Sequence, residues 1–139
     1  MLKVMIAEDD LMIADIIEEA LTGAGYETCG IARTVTQGVA LGWVHRPDLA
    51  IVDMRLAEGD LGTDIVAQLA DLGMGVLYAS GNVPQVVSVA TGGGCIAKPY
   101  QFNDLLRALD IVAGATIAGI VPTAPLPYGF IMLENRKSL

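Results

Sequence analysis

Basic residues are scarce in this chain: eight Lys and Arg stand against sixteen Asp and Glu, a formal net charge of −8. That deficit argues against nucleic acid as a partner, since binding a phosphate backbone needs a basic stripe. Histidine occurs once, at His45, and cysteine twice, at Cys29 and Cys95, with no CxxC spacing. The inventory is too thin for a zinc site. Two buried free thiols are expected rather than a disulfide. No apolar run approaches the roughly 18 residues that span a bilayer. The greasiest stretch, Ile111 to Val121, is cut off by Pro122, Pro125 and Pro127. The N-terminus lacks the pattern of a signal peptide, because acids arrive by Glu8 and no small-residue cleavage site follows. A cytoplasmic domain without membrane insertion is the expectation. Aromatics make up only 5% of the chain, so Val, Ile, Leu and Ala must fill the core.

What is present is apolar bulk in short pieces. The chain has 139 residues, 53% of them hydrophobic, which suits one domain with a real core. Leu2–Ala7, Thr28–Ala32, Asp48–Asp53, Gly75–Ser80 and a brief run before Lys98 read as strands. Between them lie segments of helical period. Ile13, Ile16, Ile17, Ala20 and Ala24 share one face of a first helix, with Asp10 as its N-cap. Val35, Val39 and Trp43 mark a second, where Gly38 and Gly42 are expected to let the helix lie close to the sheet. Ile65, Val66 and Leu69 mark a third, and Val83–Ala90 is short. Phe102, Leu105, Leu106, Leu109 and Val112 form the clearest stripe. Strands alternating with helices predict an α/β fold, a parallel sheet covered on both faces.

The chemistry collects where strands end. The first strand runs into Glu8, Asp9 and Asp10, the third into Asp53, the fourth into Ser80 and the fifth into Lys98. Parallel strands bring all four ends to one edge, which is where ligands sit in such sheets. Carboxylates and backbone carbonyls are hard oxygen donors suited to Mg²⁺, which prefers phosphate oxygens as partners. A lysine supplies a point charge for an anion. An Asp near both can attack phosphorus and form an aspartyl phosphate. Crowding of Glu8, Asp9 and Asp53 is expected to strain the metal-free site.

The pieces "IAEDD" at 6–10, "RPDLAIVDM" at 46–54, "LYASGN" at 77–82 and "IAKPY" at 96–100 resemble the receiver domain of two-component response regulators. The resemblance covers about residues 1–113. It implies a flavodoxin-like fold, a doubly wound five-stranded sheet in the order 2-1-3-4-5. It also implies that Asp53 is the phosphoacceptor, that Asp9 binds Mg²⁺ directly and Glu8 through water, and that Arg55 contributes its backbone carbonyl. Ser80 would be the switch hydroxyl, Lys98 the partner of the phosphoryl group, and the bond before Pro99 cis. The implied partners are a sensor histidine kinase or a histidine phosphotransfer protein, and a downstream protein still to be named.

Two features depart from the family. Cys95 replaces the aromatic usually found three residues before the lysine, and the fourth helix must be clipped. Both fall on the face that reports phosphorylation. Residues 114–139 are an apolar, Pro-containing extension expected to pack on helix four, strand five and helix five, in its own chain or in a dimer partner. The leading expectation is a stand-alone, chemotaxis-type receiver in a phosphorelay. A phosphorylation-independent binding module on the same fold is disfavoured because every site position is filled. An Asp-nucleophile phosphatase would need a second Asp two residues after Asp53, and Arg55 stands there.

Overall fold

Glycine, proline and capping side chains cut the chain into alternating strands and helices. The structure, a computed structural model, describes residues 1–123 and 125–133. Chain order runs β1 (Lys3–Ala7), α1 (Leu11–Gly23), β2 (Glu27–Ala32), α2 (Val35–His45), β3 (Leu49–Asp53) and α3 (Gly62–Gln68). It continues through β4 (Gly75–Ser80), α4 (Val83–Val89), β5 (Gly94–Ala97), α5 (Phe102–Ala118) and β6 (Phe130–Met132). The first five strands are parallel, and β6 joins β5 antiparallel, giving the order 2-1-3-4-5-6. The expected sheet is therefore present with one strand more, supplied by the C-terminal extension. The parts of that extension at 124 and 134–139 lie outside the described residues.

Period-two alternation splits the core into two layers. Val4, Ile6, Leu49, Ile51, Leu77 and Ile96 face α1 and α5, while Met5, Ala50, Val52, Val76, Tyr78 and Cys95 face α2, α3 and α4. Asp10 caps α1 as expected, its Oδ1 accepting from the Met12 and Ile13 N–H groups at 3.0 and 3.3 Å. The buried face of α1 is Ala14, Ile17 and Leu21, rotated from the expected stripe so that Ile16 and Ala24 are exposed. Gly38 and Gly42 serve a different contact from the one expected. A Cβ at Gly38 would stand 2.5 Å from Ile65 Cδ1, and one at Gly42 2.3 Å from Leu69 Cδ1, so the close approach is to α3 and not to the sheet.

α5 runs past Val112 to Ala118 and stops at Gly119, which adopts φ 64°. Left-handed backbone suits glycine there because it has no Cβ. Cys95 is buried and Cys29 half-buried, and both are free thiols. Among the described residues no helix is long and apolar enough to cross a membrane.

Candidate functional site

The parallel register delivers the polar strand ends to one edge. Pairing of β3 with β4 sets Asp53 opposite Ala79, and pairing of β4 with β5 sets Ser80 opposite Ala97. The Lys98 N–H donates to Ser80 O at 2.9 Å, and the Lys98–Pro99 peptide is cis. Lys98 thereby leaves the sheet edge beside the acids. Its Nζ lies 2.9 Å from Asp53 Oδ2 and 3.7 Å from Glu8 Oε1. One ammonium serves two carboxylates.

Glu8 is only 4% exposed. Burial pushes its carboxyl above the usual range, the Asp10 N–H that donates to Oε2 at 3.2 Å opposes this, and the nearby Asp53 charge adds to it. Asp53 Oδ1 accepts from the Arg55 N–H at 3.3 Å, a tight loop that keeps the Arg55 backbone beside the carboxylate. The Ser80 hydroxyl oxygen, also buried, accepts from the Asn82 N–H at 2.9 Å.

Asp9 stands apart. Its Oδ1 pairs with Arg33 Nη2 at 3.0 Å, and its carbonyl accepts from Arg33 Nε at 3.1 Å. Among the described residues no three His, Cys, Asp or Glu side chains converge closely enough to hold a metal ion as they stand. The crowding expected of three acids is therefore confined to Glu8 and Asp53, because Asp9 turns its charge to Arg33, a cation just past the end of β2.

Three contributors escaped the sequence reading. Arg33 follows β2, the one strand end left out of the polar set. Tyr100 lies near enough to Glu8 and Asp53 that burial, and then their charges, push its hydroxyl up to about 12. Gly62 opens α3 where a Cβ would stand 2.1 Å from the Asp53 carbonyl oxygen, and its N–H donates to Met54 O at 2.8 Å. Only the lysine–proline pair signalled Tyr100, by adjacency. Neither Arg33 nor Gly62 carries a local signal, since each acts across loops.

The response regulator receiver domain family matches residues 4–110. The Mycobacterium tuberculosis transcriptional regulatory protein PdtaR is 31% identical over 114 residues, covering 78% of this chain and 55% of PdtaR. The chain thus spans about half the length of the first curated relatives it matches. The Thermotoga maritima chemotaxis protein CheY is 25% identical over 117 residues, 80% of this chain and 97% of that protein. The solution structure of the Erythrobacter litoralis PhyR receiver domain superposes with a TM-score of 0.75 at 22% identity, covering 88% of this chain and 95% of that one. With the family matched over residues 4–110, across the five parallel strands and the acid pair bridged by a strand-end lysine, the chain belongs to the receiver domains of two-component response regulators.

Proposed function

We propose that Asp53 accepts a phosphoryl group from a phosphohistidine donor, a histidine kinase or phosphotransfer protein, and that the acyl phosphate drives a protein–protein switch. The observation that carries this reading is the Lys98 ammonium 2.9 Å from Asp53 at the carboxyl edge of a parallel sheet. In the transfer, an Asp53 carboxylate oxygen bonds to phosphorus as the phosphorus–imidazole nitrogen bond breaks, and the freed imidazole takes a proton. Later attack of water on phosphorus returns the carboxylate and inorganic phosphate. Lys98 neutralises Asp53 beforehand and pairs with a phosphoryl oxygen afterwards. The Ser80 hydroxyl would donate to another phosphoryl oxygen, a role supported by its position at the end of β4, one residue beyond the Ala79 that pairs with Asp53.

The donor set suits Mg²⁺ in its chemistry: carboxylates of Glu8, Asp9 and Asp53 and the Arg55 carbonyl are all oxygen ligands, and the Glu8–Asp53 pair holds more negative charge than one lysine balances. Bound there, the ion supplies positive charge against the negative charge of the transferring phosphoryl group. The chain's own output is contact with a partner protein, and its chemistry is confined to Asp53. Intact-mass spectrometry after incubation with acetyl phosphate and Mg²⁺ tests the reading. A single phosphoryl increment is expected, lost in Asp53→Asn; an increment that survives that substitution refutes the assignment.

A further inference from the structure

The Ala32–Arg33 segment is held by backbone on both sides of the site. The Glu8 N–H donates to Ala32 O at 2.9 Å, and the Ala57 N–H donates to Arg33 O at 2.9 Å. The Arg33 N–H in turn donates to Gln37 Oε1 at 2.8 Å. This segment therefore bridges the β1–α1 loop, which carries Glu8 and Asp9, and the loop after β3, which carries Arg55. From this anchor the Arg33 guanidinium makes a fork onto Asp9, with Nε on the carbonyl and Nη2 on the carboxylate. Planar two-point donation of this kind is something lysine does not reproduce.

We propose that Arg33 is a latch on the cation site: it holds the Asp9 carboxylate away from the Glu8–Asp53 pair, and it must release that carboxylate before Asp9 can serve as a metal ligand. This inference rests on the Mg²⁺-dependent reading above. The two contacts divide the work. The Nε bond to the Asp9 carbonyl survives rotation of the Asp9 side chain, so the arginine stays docked while the carboxylate swings. The Nη2–Oδ1 contact is the part that opens. Both side chains are nearly half exposed, at 47% and 46%. An exposed pair is worth roughly 0.2–1 kcal/mol, about a 1.4- to fivefold factor in an equilibrium constant. A latch of that strength lowers cation affinity without abolishing it. Water screens it too, so salt weakens it.

The test is an NMR titration of backbone amides with MgCl₂, KCl compensating ionic strength, on the full chain. Arg33→Gln is expected to bind Mg²⁺ about 1.4- to fivefold more tightly than the parent. Arg33→Lys keeps the charge but loses the fork, and should shift the same way by less. Arg46→Gln, at the far end of α2, removes an equal charge from a remote position and should leave the affinity unchanged. In high KCl the gap between parent and Arg33→Gln should narrow. The amide spectra report folding of each variant directly. Equal or weaker binding by Arg33→Gln overturns the latch while leaving the Mg²⁺ reading intact. So does an equal gain in Arg46→Gln, which would reduce the effect to overall charge. A parent that shows no saturable Mg²⁺ response removes the Mg²⁺ reading itself, and the latch with it.

Discussion

Lys98 offers one positive charge to two carboxylates, and it favours Asp53 at 2.9 Å over Glu8 at 3.7 Å. Glu8 is left buried, with its proton affinity raised mainly by burial. A carboxyl that holds its proton more tightly in the folded state favours folding at low pH. That contribution is complete below its ordinary value of 4.5 and is lost as pH rises through the folded-state value. In EDTA at neutral pH, Glu8→Gln should therefore melt higher than the parent, by about 1 kcal/mol, the usual size of a single-residue effect. The advantage should vanish below pH 4.5. An equal or lower midpoint at pH 7 would mean that Lys98 already balances both acids. Lys98→Ala should leave Mg²⁺ affinity within a few fold yet remove the conformational response to beryllofluoride; a normal response would refute its switching role. Glu8, Asp53, Ser80 and Lys98 were legible because each ends an apolar run. The orientation of Asp9 was not, because it depends on Arg33, 24 positions away.

Between elements, α2 packs closely on α3 and the Leu69 that caps it. Gly42 lies under Leu69, where a Cβ would meet Cδ1, Cδ2 and Cγ at 2.3, 2.8 and 3.1 Å. Alanine at an exposed helical glycine gains about 0.5–1 kcal/mol of backbone preference. Overpacking a filled seam costs about 1–3 kcal/mol. The second effect wins, so Gly42→Ala should lower stability by about 1–2 kcal/mol in denaturant unfolding. Gly23, at the last turn of α1 with nothing within 4 Å, is the counterpart, and Gly23→Ala should be neutral or stabilising. If Gly42→Ala also stabilises, Leu69 yields and the seam is slack. The sequence marked these glycines as places of close approach but could not name the partner, since periodicity describes one helix and not its neighbour. The phase of α1 was blurred for a related reason. Leu11, Met12 and Ile16 are exposed apolar residues on its outer side, so the helix has apolar residues on both sides. α5 has no such ambiguity, and its stripe was read correctly, with Leu105, Leu109 and Val112 fully buried.

At the scale of the whole molecule, the C-terminal extension changes what the sheet presents. β6 covers the edge of β5, which would otherwise expose unpaired N–H and C=O groups. Phe130 is 5% exposed and its ring lies over Gly94, where a Cβ would stand 2.6 Å from it. The strand is short enough to make the balance close. Burying a phenylalanine contributes about 1.5–3 kcal/mol. Ordering three residues costs about 1–2 kcal/mol each in backbone entropy, and the ladder bonds return about 1 kcal/mol each. We propose that β6 is held weakly enough to detach, and that phosphorylation of Asp53 shifts its attachment. The connection is short: the Ala97 N–H donates to Gly129 O at 3.0 Å, and the next residue is Lys98. Cys95 reports on it. Its thiol is fully buried, is raised to about 11 by that burial, and lies opposite Ile131, with Leu133 packed against the same cluster. In a Cys29→Ser background Cys95 is the single thiol. Truncation after Gly119 should speed its alkylation at pH 8 and destabilise the domain by about 1 kcal/mol or less, as the near-balance requires. In the untruncated protein, beryllofluoride with Mg²⁺ should change the same labelling rate. A rate that ignores both truncation and beryllofluoride would show that β6 neither shields this edge nor answers to the site.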